Sequence, residues 1–180
     1  VTIDGRPGGT GSNKYLVIQN TSTTAGSSGN AILLRNEASN NILTYLDVKS
    51  ANANIPTNTA ISATGAVPGA IAITNTAGFI GNDNNTISYC NVHSTGANLG
   101  ACIYAGSNSA AGSPANNDNN TIDSCNIYDF FLAGSASAGI DVSIGNNNYN
   151  ITNNRIFQTT TRTYTSTQVV RAIWLTPNTA

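Results

Sequence analysis

The chain has 180 residues, of which 28 are asparagine, 23 threonine, 17 serine and 17 glycine, and seven Lys or Arg stand against eight Asp or Glu. So sparse and balanced a charge gives no electrostatic footprint for nucleic acid or anionic lipid, and no run approaches the roughly 18 apolar residues of a membrane-spanning helix. A hydrophobic content of 39% excludes a chain too polar to collapse, while Asn, Thr, Ser and Gly rank poorly in helix interiors; short strands and many turns in one domain of ordinary size are expected. The opening residues lack the basic-then-apolar pattern of a secretory leader.

In chain order, residues 1–4 (VTID) read as a strand and AILL at 31–34 as the first of a second strand type. NNILTYLDVKS at 40–50 is followed by AIAI at 70–73, and NDNNTISYCNVHS at 82–94 by CIYA at 102–105. NDNNTIDSCNIYD at 117–129 is followed by GIDV at 139–142, and NYNITNNRIFQ at 148–158 by AIWL at 172–175. Two elements therefore alternate, and such self-similarity marks a repeat architecture. The longer element aligns into three inward columns: Leu43, Ile87, Ile122, Ile151; then Leu46, Cys90, Cys125, Asn154; then Val48, Val92, Ile127, Ile156. The shorter gives Ile32, Ile71, Ile103, Ile140 and Ile173, at steps of 39, 32, 37 and 33 residues. Irregular steps between regular strands predict loops of different length between fixed rungs, at 50–69, 94–100, 106–116, 133–138 and 159–171. These loops are either tolerated insertions or the places where binding is built.

Each element alternates apolar with polar, as a strand with one buried face does. An antiparallel sandwich would alternate too, but it has no reason to put the same residue in the same column at every turn. In a parallel solenoid each coil sits about 4.8 Å above the last, so like-on-like columns of Ile, Asn or Cys follow. The expected fold is all-β, a parallel β-helix solenoid of about five coils with inserted loops. The two strand types supply two faces, and the variable segments a third, weaker one.

The pattern Asn-Asn-x-Ile-x-x-Cys/Asn-x-Ile/Val, followed by Gly/Ala-Ile-x-Leu, resembles the repeat of pectate-lyase-like right-handed parallel β-helices. The opening VTIDGRPGGTG and the NDNNTI repeats are further similar to large secreted surface proteins of Bacteroidota-type bacteria, many exported by the type IX route. The resemblance covers nearly the whole chain. It implies a right-handed coil and an extracellular or cell-surface location, and is nearly silent on activity, because such solenoids serve as enzymes, adhesins and stalks alike. Neither end carries an atypical capping repeat of the kind that closes solenoids. Residues 1–180 are therefore expected to be a single β-helix segment, an excerpt of a longer protein or fibre.

Among residues with chemistry, Cys90 and Cys125 share an inward column, and Cys102 stands in the small-residue column of Ala31, Ala70, Gly139 and Ala172. Buried free thiols are expected; a Cys90–Cys125 bridge would need a dihedral that parallel side-chain vectors supply poorly, and no pair has zinc-ligand spacing. His93 should face outward in the column of Lys49, Tyr128 and Phe157, with no nucleophile tied to it. Polysaccharide hydrolases need two carboxylates at fixed separation. Asp47, Asp123, Asp129 and Asp141 lie on different rungs, and only Asp123 and Asp141 are placed to converge from neighbouring faces. Asp83 and Asp118 precede paired asparagines at equivalent turns. Either they hold calcium, or Asp and Asn occupy these corners because they tolerate left-handed backbone. Two aromatic pairs are candidate ligand-binding residues, stacking on sugar faces or else packing beneath an inserted loop. They are Tyr45 with Tyr89, and Tyr104 with Trp174 in the outward column of Leu33, Ala72 and Asp141. The sequons at Asn20, Asn84, Asn119 and Asn150 are what so Asn-rich a chain generates by chance.

No catalytic residue is assigned. The expectation is a non-enzymatic extracellular structural or adhesive module that binds glycans or other cell-surface ligands. It needs no cofactor, apart from the calcium alternative, and has no nucleic-acid partner and no membrane insertion. Two rivals stand beside it: a fragment of a polysaccharide-active β-helix enzyme, and a subunit of an extracellular fibre stacked end to end.

Overall fold

The computed structural model describes residues 1–24, 29–56, 66–76, 78–96, 98–107, 113–165 and 167–176. The chain winds through five coils. The first holds β1 (Thr2–Asp4), β2 (Leu16–Asn20) and β3 (Ile32–Arg35), and the second β4 (Ile42–Thr44), β5 (Leu46–Ser50) and β6 (Ile71–Asn75). The third holds β7 (Thr86–Ser88), β8 (Asn91–Ser94) and β9 (Ala101–Ser107). The fourth adds a short β10 (Asn117–Asp118) before β11 (Thr121–Asp123), β12 (Asn126–Tyr128) and β13 (Ser137–Val142). The fifth repeats this with β14 (Asn146–Asn147), β15 (Asn150–Thr152), β16 (Arg155–Phe157) and β17 (Val170–Leu175).

Equivalent strands stack into three five-stranded sheets, β1-β4-β7-β11-β15, β2-β5-β8-β12-β16 and β3-β6-β9-β13-β17, with β10-β14 as a small fourth. The ladders between these strands are parallel, and the fold is a right-handed parallel β-helix. The expected columns are in register: Ile32, Ile71, Ile103, Ile140 and Ile173 pair in succession, as do Leu43, Ile87, Ile122 and Ile151. Val48, Val92, Ile127 and Ile156 pair likewise. Their side chains, with Leu46, Cys90 and Cys125, form one core inside the coil, except Ile173, which pairs in register but is 42% exposed and lies outside that core because only the fourth coil packs on it.

The third face is not in the variable segments. The longer repeat element supplies two faces, because it bends in its middle at Tyr45, Tyr89, Ser124 and Asn153, whose φ angles are 52°, 54°, 54° and 55°. The columns of Leu43 and Leu46 are three residues apart, so a straight strand would send them to opposite sides. One left-handed residue between them turns both inward. A second corner uses Asn40, Asn84, Asn119 and Asn148, again with positive φ, the conformation Asn tolerates best after Gly. The predicted loops are also shorter than the spacing suggested. Gly106 belongs to β9, Ser137 and Ala138 to β13, and Val170 and Arg171 to β17; residues 57–65, 97, 108–112 and 166 of those loops lie outside the described residues.

Asparagine also forms inward ladders that hold coil to coil. The Oδ1 of Asn117 accepts from the backbone N–H of Asn82 at 3.1 Å and from its Nδ2 at 2.7 Å, while the Nδ2 of Asn117 donates to Asn146 at 3.1 Å. Beside it, the Oδ1 of Asn85 accepts from the N–H of Asn41, and the Oδ1 of Asn120 accepts from the N–H of Asn85, each at 2.9 Å. At a corner the ladder of backbone hydrogen bonds is interrupted, and a buried amide supplies the missing partners. Asn117→Ala strands two donors of Asn82 and removes a tie to Asn146. It should lower stability by about 2–3 kcal/mol in denaturant unfolding.

Candidate functional site

The bend between the first two sheets carries an aromatic stack. Tyr45 and Tyr89, on successive coils, lie with centroids 4.9 Å apart and planes 11° from parallel. The Arg6 guanidinium covers the other face of Tyr45 at 3.9 Å, held there by Asp4, which accepts from its Nε at 2.9 Å and its Nη2 at 2.7 Å. Those hydrogen bonds hold the Asp4 carboxyl below its ordinary value and raise the guanidinium above its own. Tyr89 is 44% exposed. On the next two coils the same corner position is Ser124 and then Asn153, so the stack ends at Tyr89 and gives way to small polar side chains. A bulky residue at positive φ is an outlier that costs about 1–2 kcal/mol, which ring stacking and the guanidinium contact offset.

Asp123 organises the polar side of this corner. Its carboxylate accepts from the hydroxyl of Thr152 at 2.6 Å, the amide of Asn153 at 2.8 Å and the hydroxyl of Ser124 at 2.9 Å. These three donors, in that order, hold its carboxyl below the usual carboxylate range.

The outer face of the second sheet carries the column anticipated for His93. Lys49, His93, Tyr128 and Phe157 are in register, with His93 on Tyr128 at 4.3 Å and Tyr128 on Phe157 at 5.1 Å, both stacked. His93 is more enclosed than a free surface residue, its side chain 14% exposed. Its Nε2 meets Asp47 at 2.9 Å and its Nδ1 the carbonyl of Ser94 at 2.7 Å, while Asp47 also pairs with Lys49 at 3.0 Å. Burial, ahead of the charges of Asp47 and Asp129, pushes the Tyr128 phenol up to about 12. These rings stack on one another, so it is mainly their edges that meet solvent.

Tyr104 and Trp174 do not form a platform. Asp141 stands between them in register, and Tyr104 is 0% exposed, packed with Ala72, Ala101 and Val67 in a cluster outside the main core. The covering segment is tied down by the amide of Asn52, which donates to the carbonyls of Val67 and Gly69 at 2.8 and 3.0 Å. The Tyr104 phenol lies across Gly106, where any Cβ would collide with its hydroxyl. Burial, then the adjacent Asp141, pushes that phenol up. Trp174 is half-buried, with the Arg171 guanidinium 3.9 Å over its ring. Asp141 is itself 0% exposed, both its carboxylate oxygens lack a hydrogen-bond partner among the described residues, and burial pushes its carboxyl up to about 7 against the pull of Arg171.

The other candidates fall into structural positions. Asp123 and Asp141 lie in different sheets and are not brought together. Asp129 pairs with Arg162 at 3.2 Å and accepts from Thr159. Cys90, Cys102 and Cys125 are free and buried; the backbone N–H of Cys90 donates to the sulfur of Cys125 at 3.4 Å, and burial pushes the Cys102 thiol up. Asp83 uses Oδ1 to accept the backbone N–H of Asp118 at 2.8 Å, closing the coil corner, and burial raises the Asp118 carboxyl. Among the described residues no three His, Cys, Asp or Glu side chains converge on a metal position. An apolar cavity of about 270 Å³, lined by Ile3, Ile32, Leu34 and Leu43, opens in the first coil.

Sequence reasoning did not foresee the burial of Asp141 or the polar group gathered by Asp123. For the second there was a signal: the corner column reads Tyr45, Tyr89, Ser124, Asn153, a change from large to small at one repeat position. Compared with known proteins, the chain matches no protein-family model, no curated protein and no solved structure.

Proposed function

We propose that this chain is a non-enzymatic structural and adhesive module, a low-charge rod that presents binding surface outside the cell. One observation carries the reading: the outer carboxylates and histidine named next are engaged in ties between coils or held in fixed pairs. Asp47, Asp123, Asp129 and His93 all have their hydrogen-bonding atoms occupied by neighbours, and Asp141 is closed off from solvent. Side chains held this way stiffen a rod. The likeness of VTIDGRPGGTG and NDNNTI to surface proteins of Bacteroidota-type bacteria supports an extracellular location and export by the type IX route. Glycans are the ligand class favoured by the exposed aromatic corner at Tyr89.

The test is to incubate the chain with polygalacturonate and with neutral polysaccharides, and to measure both chain cleavage and retention on glycan-coated surfaces. Retention without new reducing ends or unsaturated uronate is the expected result. Release of either product would replace this reading with that of a polysaccharide-active enzyme.

A further inference from the structure

We propose that the open face of Tyr89 is the floor of a site for one neutral pyranose ring, completed on the adjoining coils by Ser124, Asp123 and Asn153. The assignment rests on reading the module as one that binds glycans. Arg6, Tyr45 and Tyr89 form a stack at 3.9 and 4.9 Å. The ring separation nearly equals the coil-to-coil spacing of about 4.8 Å, so the next ring of the stack belongs at the level of the fourth coil. There the chain supplies Ser124, whose side chain is too small to fill that place. A pyranose is about the size of a phenol ring, and its C–H face meets an aromatic face as a second ring would.

The polar groups beside this place are held in advance of binding. Ser124 donates its proton to Asp123 at 2.9 Å, so its oxygen is left to accept from a sugar hydroxyl. Asn153 uses one N–H on Asp123 at 2.8 Å and keeps its carbonyl oxygen and second N–H. Side chains fixed by a shared partner lose little freedom when a ligand arrives. The ligand is neutral because Asp123 is a half-buried carboxylate at the surface, ionised at neutral pH, and an anionic uronate ring beside it would be repelled. The strained backbone fits the same reading: Tyr89 keeps a large ring at φ 54°, where Ser124 and Asn153 show that a small polar residue suffices to turn the coil.

The test uses saturation-transfer NMR and amide shifts on the full chain, with neutral gluco-, manno-, galacto- and xylo-oligosaccharides and oligogalacturonate as probes. A neutral oligosaccharide should receive saturation and shift the amides of Tyr89, Ser124 and Asn153. Tyr89→Gly, which suits the positive φ, and Ser124→Tyr, which puts a third ring in the vacant place, should each weaken binding about tenfold or more. Circular dichroism checks that both variants fold. Absence of binding by the wild type, equal affinity in both folded variants, or preference for galacturonate would overturn the site. Surface adhesion that survives both variants overturns this site and leaves the adhesive reading standing. A wild type with neither adhesion nor oligosaccharide contact overturns both.

Discussion

Raising the pH from 4 to 7 should lower the stability of this β-helix by about 3 kcal/mol, and Asp141→Asn should abolish most of that dependence. The Asp141 carboxyl titrates at about 7 in the folded chain against 3.8 in the open one. Below 3.8 both states hold the proton and the group favours neither. Between 3.8 and 7 the unfolded chain has lost the proton while the folded chain keeps it, so stability falls by about 1.4 kcal/mol per pH unit. Above 7 both are ionised and the curve is flat, with the full cost present. The physical source is a buried carboxylate between Tyr104 of β9 and Trp174 of β17, which has no hydrogen-bond partner among the described residues and only the pull of Arg171 to offset its burial there. Asp4, Asp123 and Asp129 shift the other way, and so act below about pH 4, outside this window, while Asp118, raised by burial, adds to the fall in stability just above 3.8 and accounts for the part that Asp141→Asn leaves. Denaturant unfolding at pH 4, 5.5, 7 and 8 on wild type and Asp141→Asn reads the effect. A wild-type curve flat across that range would refute it.

Ile103→Ala should cost about 3–4 kcal/mol, whereas Ile173→Ala, the same change in the same column, should cost about 1 kcal/mol or less. Ile103 is 1% exposed and pairs in register with Ile71 on one side and Ile140 on the other. Truncating it opens a cavity touching two coil interfaces, and rigid parallel ladders on both sides limit collapse into the space. Ile173 is 42% exposed, so close to half of it stays in water and its truncation opens no enclosed cavity. Because each coil of a solenoid contacts only its neighbours, the Ile103 variant should also unfold less cooperatively, as the weakened third coil separates the two halves. Equal losses at the two positions would show that column membership, not burial, sets the energy.

The coil-by-coil register was legible in the sequence because stacking repeats one environment at every turn. Ile32 through Ile173 and Leu43 through Ile151 had to recur at equivalent places, and the structure pairs them there. The third face was half-legible. The odd spacing of Leu43 and Leu46 could be read, but the left-handed φ of Tyr45 and Tyr89 could not, since tyrosine rarely adopts it. The asparagine columns were visible as repeats, but their inward ladders were not, because an Asn at a corner suits a turn and a ladder equally well.

For the candidate site, outward direction followed from alternation along a strand and exposure did not. Tyr104, Asp141 and Trp174 share one outward column, as their positions required, yet Val67, far away in the chain, packs on Tyr104 and helps close it from solvent. Tyr89 stayed open because the coil after it places a serine at the corner. The sequence by itself therefore determined the parallel β-helix, its five coils and its core columns, since those depend on local period and on repetition. Only the tertiary structure decided which outward side chains are covered and which stay exposed, because burial is set by segments that neither period nor repeat brings together.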